Sequence, residues 1–99
     1  MDSIVDTHFH IWDLQTRQEY KKTDGSFDWP DASLTKIYRK FDAAEAEKEM
    51  KSSNVSSAIF VQCLNGCPEE IEWVAQLAKD YPVIRGIVGG LDLTQVKIL

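Results

Sequence analysis

The sequence predicts an α/β fold in which short parallel strands alternate with helices. Three observations support this class: a β-like run near the N-terminus, a continuous apolar run at 58–61, and a helix-periodic apolar stripe after Pro68. The predicted elements follow the order strand, long loop and helix, strand, helix, strand. This order is typical of parallel sheets whose crossover connections are right-handed.

The first strand is predicted over residues 3–10, which contain both histidines of the chain. Successive side chains of a strand point to opposite faces, so the alternation places Asp6, His8 and His10 on one face. Neutral imidazole is the commonest metal ligand in proteins and also carries protons near neutral pH. The pair is therefore a candidate metal or acid–base site. The alternative is a surface strand with two solvated rings, which the apolar residues before the pair and the Trp12-Asp13 sequence after it disfavour.

Residues 11–41 show no sustained periodicity and contain Gly25, Pro30 and scattered polar residues, which predicts a long loop. Loops of this length in compact domains are usually functional or disordered. A helix is predicted over 42–53, because Asp42 is a good N-cap and Glu45 follows three positions later.

The second strand is predicted over 57–62, and its apolar residues are typical of a parallel strand covered on both faces. It ends in the polar residue Gln62. Pro68 at a first helical position and Pro82 after the last apolar residue delimit a second helix over 68–81. A third strand follows over 83–89.

Two cysteines, Cys63 and Cys67, follow the second strand in a spacing that matches no standard redox motif. Together with His8 and His10 they make up the residue types of a Cys2His2 zinc site. Such a site in a zinc finger needs its histidines three to five positions apart on a helix, whereas here they alternate on a strand. Reduced cytosolic thiols are the favoured interpretation.

Composition predicts a cytoplasmic protein with an ordinary apolar core. Hydrophobic residues make up 43% of the chain, and sixteen acidic against eleven basic residues give a formal net charge of −5. Without a basic run there is no footprint for a phosphate backbone, so nucleic-acid binding is not expected. The sequence contains no apolar stretch long enough for a membrane span and no targeting signal after Met1, so no membrane association is expected either.

The first strand also carries a specific resemblance, which lies in the segment Asp6-Thr7-His8-Phe9-His10-Ile11-Trp12-Asp13. This segment resembles the first strand of the amidohydrolase-related family of the amidohydrolase superfamily, in the branch of sugar-lactonases and 2-pyrone-4,6-dicarboxylate hydrolases. The segments 58–62, 84–89 and 91–93 are similar to the second and third βα units of that branch, and 27–30 to its long first loop. The resemblance covers roughly residues 3 to 93, and residues 94–99 form a divergent tail.

The resemblance implies the first three βα units of a (β/α)8 TIM barrel, incomplete in this chain. Such a barrel needs about 250 residues, and this chain has 99. An open third strand would leave an unpaired edge that invites self-association. The family's later histidine and its aspartate at the end of the eighth strand have no counterpart here. We therefore expect an N-terminal fragment that is inactive alone.

For the intact enzyme, the resemblance implies hydrolysis of a lactone or related cyclic ester, a small-molecule substrate. His8 and His10 would be the catalytic residues and would also ligate a divalent metal such as zinc, although metal-independent members exist in this branch. The loop after the first strand and the carboxyl ends of the strands lie on the catalytic face of a barrel, which makes Trp29 and Gln62 candidate substrate-binding residues. Phe27 and Tyr38 are further candidates from the same loop.

Purely structural roles remain open for these residues. The loop aromatics would then only hold the loop in place, and Gln62 would cap its strand. A non-enzymatic alternative also remains open for the whole chain. It would be a truncated isoform that acts by binding a partner subunit through its open sheet edge, or a metal through His8 and His10.

Overall fold

The computed structural model describes residues 3–20, 28–64 and 67–90. In chain order the elements are β1 (Ile4–Phe9), a short 3-10 helix (Thr16–Glu19), α1 (Ala43–Ser52), β2 (Val55–Val61), α2 (Pro68–Asp80) and β3 (Ile84–Val88). The strands form one parallel sheet in the order β1-β2-β3. The predicted α/β class with a parallel sheet is confirmed. The predictions for Phe27, for 91–93 and for the divergent tail 94–99 lie outside the described residues.

β1 contains one extra residue relative to β2. Asp6 pairs with Ala58 and Phe9 pairs with Phe60, so three steps along β1 match two steps along β2. An extra residue of this kind interrupts the side-chain alternation between Asp6 and the histidines. Alternation alone therefore does not place Asp6 on the face of the histidines, and this placement stays a prediction. Asp6 and His10 line a common pocket, and the Oδ1 of Asp6 accepts the backbone N–H of His8 at 3.0 Å.

α1 begins and ends with local signals. The side chain of Asp42 accepts the backbone N–H of Glu45, which satisfies one of the free donors of the first turn. After Ser53 the chain leaves the helix through Asn54, whose φ of 61° lies in the left-handed region that asparagine tolerates better than most residues. β2 then starts at Val55, two residues before the predicted start, because Val55 pairs with Ile4 of β1.

α2 begins with Pro68 at a first helical position and ends before Pro82. Its residue Val74 is fully buried against the sheet, as the apolar stripe predicts. The core lies between the sheet and the two helices and consists of buried residues from all of these elements: Phe9, Ile11, Ala43, Ala46, Met50, Ala58, Phe60, Val74 and Ile84. A second, smaller cluster consists of Tyr20, Leu64 and Cys67, and the half-buried Trp29 and Cys63 pack against it. No described helix has the length and apolar character needed to cross a membrane.

Candidate functional site at the carboxyl ends of the strands

The two histidines lie together at the carboxyl end of β1. His8 is exposed and His10 is half-buried, and their ring centroids are 5.0 Å apart with the planes nearly perpendicular. The proximity follows from their spacing, because residues two apart on a strand project on the same side. The two imidazoles therefore form one candidate site rather than two separate surface positions.

His10 is fixed by the neighbouring strand. Its Nδ1 lies 2.7 Å from the backbone oxygen of Val61, the last residue of β2. A carbonyl oxygen only accepts hydrogen bonds, so Nδ1 must carry the proton and donate it. In the neutral ring Nε2 then holds the free lone pair, which is the arrangement found in metal-bound histidines and in general bases.

The donor set fits two ligands of a divalent metal. His8 and His10 supply two imidazoles, and the fixed tautomer of His10 prepares one nitrogen as a ligand. Catalytic zinc usually takes three protein ligands. Within residues 3–20, 28–64 and 67–90, no group of three or more His, Cys, Asp or Glu side chains is placed to hold a metal. The Cys2His2 arrangement of Cys63 and Cys67 with the histidines is therefore not formed.

Trp29 lies beside the histidine pair. Its ring centroid is 6.2 Å from that of His10 in an edge contact, and 5.3 Å from that of Trp12. The side chain is half-buried, and its peptide bond to Pro30 is cis. Three of the four predicted site residues thus lie together, because Trp29 contacts His10 and His10 contacts His8. Tyr38, at 43% exposure, makes no described ring contact to this group.

The side chain of Gln62 connects the end of β2 with the start of α2 and with the segment after β3. Its Nε2 donates to the backbone oxygen of Cys67 at 2.6 Å, and its Oε1 accepts the backbone N–H of Gly90 at 2.7 Å. The side chain is buried, with 6% exposure. Both ends of the amide are thus bonded to the backbone, one at the start of α2 and one just after β3. These contacts fit the strand-capping role, the alternative to substrate binding for this residue.

Glu70 is a residue that the sequence interpretation missed as part of this region. It lies in the first turn of α2, where a glutamate is ordinarily exposed, yet its side chain is 2% exposed. Its Oε1 accepts the backbone N–H groups of Cys63 and Leu64, both at 3.0 Å. Burial raises the pKa of Glu70, and the hydrogen bonds from Leu64, Cys63 and Gln62 partly oppose this rise. The only signal in the sequence is its third position in a helix that follows a tight loop.

The cysteines are not activated nucleophiles. Burial, followed by the negative charge of Glu70, raises the pKa of Cys63 to about 12. Burial is also the main cause that raises the pKa of Cys67. Both thiols are free, and the Cys63 Sγ lies 3.8 Å from the backbone oxygen of Ile11. A thiol that stays protonated at neutral pH is a poor nucleophile and a poor metal ligand.

Comparison with known proteins adds one finding to this geometry. No family model matches the chain, and no solved structure matches it. The chain is 28% identical over 89 residues to L-fucono-1,5-lactonase of Burkholderia ambifaria, a match that covers 90% of this chain and 28% of the relative. The chain thus spans little more than a quarter of the curated relative's length. This low similarity to a lactonase points to a hydrolase-like origin.

Proposed function

We propose that this chain is the N-terminal part of an amidohydrolase-like hydrolase that acts on a lactone or related cyclic ester. The chain would supply the first three βα units of a (β/α)8 TIM barrel. The observation that carries the proposal is the His8–His10 pair at the carboxyl end of a parallel strand, with the His10 tautomer set by Val61. Active sites of such barrels lie on this face. The similarity to a lactonase supports the same reaction class.

In this proposal each residue has a chemical role. His8 and His10 would hold a divalent metal, zinc for example, which would polarise the ester carbonyl and lower the pKa of bound water. In a metal-independent site the same rings would hydrogen-bond the substrate directly, with His10 accepting through Nε2. Trp29, edge-on to His10, would form an apolar wall for the ring of the substrate.

We further propose that the 99 residues alone are inactive. A barrel closes with eight strands, and the described residues contribute three. The described part also lacks a third metal ligand beside the histidines. Free Cys63 and Cys67 are typical of a reducing compartment, which supports a cytoplasmic location.

Two measurements on the purified chain test the proposal. Hydrolysis of L-fucono-1,5-lactone is followed with and without Zn²⁺, and Zn²⁺ binding is followed by calorimetry. We expect no hydrolysis above background, and Zn²⁺ binding that His8→Ala and His10→Asn abolish while the exposed helix variant Lys48→Ala does not. Turnover that both histidine variants abolish would refute the inactivity of the fragment. Absence of Zn²⁺ binding would refute the role of the histidines as zinc ligands. Their role would then be to hydrogen-bond the substrate directly.

The second candidate is a non-catalytic product that binds a partner subunit. In the described sheet β1 and β3 each pair only with β2, so both have an open edge, and Ile4, Val5 and Val88 on these strands are about half exposed. The coding sequence after Leu93 discriminates between the two. Continuation into further βα units with a late histidine and aspartate supports the hydrolase, and a stop codon in every transcript supports the binding protein.

A further inference from the structure

Five rings form a continuous series that ends at the candidate site. Phe41 stacks on Trp12 with ring centroids 5.2 Å apart, and Trp12 meets Trp29 edge-on at 5.3 Å. Trp29 in turn meets His10, and His10 meets His8. Edge-on and offset contacts at such distances are the favourable geometries for aromatic pairs. Trp12 is the second ring of this series, and among the described residues it joins Phe41 to Trp29.

Trp12 is held from several directions at once. Its backbone N–H donates to Phe41 and its backbone oxygen accepts from Phe41, at 2.8 and 2.9 Å. Its indole Nε1–H lies 2.6 Å from the backbone oxygen of Arg39 and 3.3 Å from that of Ile37. The end of the long loop is thereby fixed to the segment directly after β1. A ring with this many fixed contacts is a rigid surface for its neighbours.

The segment that carries Trp29 has a second attachment on the same side. The guanidinium of Arg17 donates through Nη1 to the backbone oxygen of Pro30 at 2.8 Å. This bond fixes the backbone next to Trp29 but not the direction of its ring. The orientation of the ring depends on the surfaces it packs against. These are Trp12, His10 and the buried cluster of Tyr20, Leu64 and Cys67, and among them Trp12 is the indole that meets the Trp29 ring edge-on.

We infer that Trp12 is a positioning residue, which holds the ring of Trp29 edge-on to His10 and so sets the aromatic wall of the site in advance of substrate. Trp12 does not touch the histidines and acts through Trp29. The inference rests on the proposed function only where it takes Trp29 as a wall for substrate. The placement of Trp29 itself is independent of any reaction. Preset walls of this kind reduce the ordering that a ligand must impose when it binds.

The test is a proton NMR measurement on the full 99-residue chain. The nuclear Overhauser effect between the Trp29 indole and the His10 ring is compared in the wild type, Trp12→Leu and Trp12→Phe. Tyr38→Leu is the matched control, because Tyr38 belongs to the same loop and is exposed. Signals of Phe60 and Val74, which lie in the core, report whether each variant is folded. A titration with L-fucono-1,5-lactone then follows the Trp29 indole signal.

We expect the Trp29–His10 effect in the wild type and in Tyr38→Leu, and its loss in folded Trp12→Leu. Its persistence in folded Trp12→Leu, or its absence in the wild type, overturns the inference. If Trp12→Leu fails to fold, Trp12→Phe provides the test. Phenylalanine keeps an aromatic ring but loses the contacts of the indole Nε1–H with the backbone oxygens of Arg39 and Ile37. A weakened effect then supports the inference and an unchanged one overturns it. The lactone titration is read separately. If the Trp29–His10 nuclear Overhauser effect depends on Trp12 but the lactone does not shift the Trp29 indole signal, the role of Trp29 as a wall for substrate is refuted, and the positioning role of Trp12 is supported.

Discussion

His10 donates from Nδ1 to the backbone oxygen of Val61 across 51 positions of sequence, at 2.7 Å. The bond joins the residue just after β1 to the last residue of β2. It thus holds the carboxyl ends of two strands together and also decides which imidazole nitrogen faces the candidate site. The stability of the fold and the tautomer of His10 thus depend on the same hydrogen bond, and substitutions at this position can separate the two effects.

His10→Asn and His10→Ala are expected to differ in stability. The amide nitrogen of asparagine can replace Nδ1 as donor to Val61, whereas alanine leaves that oxygen without this partner. We expect His10→Ala to lower the free energy of unfolding by about 1 kcal/mol, a typical net value for one hydrogen bond, and His10→Asn to lower it by less. Urea unfolding at neutral pH measures both. His8→Ala is the control, since the exposed His8 ring should contribute little to stability. Equal losses in the two His10 variants would contradict the importance of this bond.

Glu70→Gln is expected to change how stability depends on pH. Burial raises the pKa of Glu70 above its ordinary value of 4.5, so the folded state holds the proton more tightly than the unfolded chain does. The resulting stability is fully present below the unfolded pKa and is lost as pH rises through the folded pKa. Glutamine keeps an oxygen acceptor for Cys63 and Leu64 without the buried charge. The stability of Glu70→Gln relative to wild type should therefore increase as the pH rises above the ordinary value of 4.5 and through the folded pKa.

Thermal melts at several pH values measure this difference. Glu70→Ala provides the contrast, because it leaves the N–H groups of Cys63 and Leu64 without their acceptor. We expect Glu70→Ala to be about 1–3 kcal/mol less stable than Glu70→Gln at every pH, since neither side chain titrates. A constant difference between Glu70→Gln and wild type over the whole pH range would show that the carboxyl does not titrate differently in the folded state.

Features with local causes were predictable from the sequence, and those that depend on pairing or packing were not. Asp42, Pro68 and Pro82 delimit the helices through backbone chemistry that acts within a few residues. The closeness of His8 and His10 follows from their spacing alone. The interruption of the alternation after Asp6 could not be predicted in this way, since the extra residue in β1 is defined only by its pairing with β2.

The same distinction explains Glu70 and the long loop. A glutamate in the first turn of a helix is exposed by default, whereas Glu70 is buried and its carboxylate accepts the backbone N–H groups of Cys63 and Leu64. The attachment of Trp12 to Phe41 closes the loop 11–41 through an isolated bridge between residues 29 positions apart. Neither arrangement has a periodic pattern that a sequence could display.

Gly89→Ala is expected to destabilise the fold through one identifiable clash. An ideal Cβ at this position would overlap the Cδ1 of Ile71 on α2, so that side chain would have to move. We expect a loss of about 1–3 kcal/mol. Ile71→Val deletes this Cδ1 atom and alone should cost about 0.5–1.5 kcal/mol. The double variant should lose less than the sum of the two single variants, because the clash disappears.

Urea unfolding of the four proteins in this cycle gives the coupling energy. Gly86→Ala is the matched control on the same segment, since its Cβ would lie 3.0 Å from the Cδ1 of Ile59 and requires a smaller shift. Strict additivity of Gly89→Ala and Ile71→Val would mean that the backbone, and not the side chain of Ile71, limits the size of the residue at position 89.

Asp42→Ala is expected to destabilise α1 most at pH values where Asp42 is charged. Its Oδ1 accepts the backbone N–H of Glu45 at 3.0 Å, and this bond is the main cause that lowers the pKa of Asp42. Loss of an N-cap of this kind costs about 1 kcal/mol. The stability from the lowered pKa is present above the unfolded value of 3.8 and is lost as pH falls through the folded pKa. The difference in the free energy of unfolding between wild type and Asp42→Ala should therefore narrow in acid.

Asp42→Asn should stay close to wild type in stability at neutral pH, since asparagine is an equally good cap. Lys40→Ala tests the other contribution, because the Lys40–Asp42 ion pair at 3.5 Å is largely exposed and should be worth little. If Lys40→Ala costs as much as Asp42→Ala, the ion pair and not the cap stabilises the start of α1.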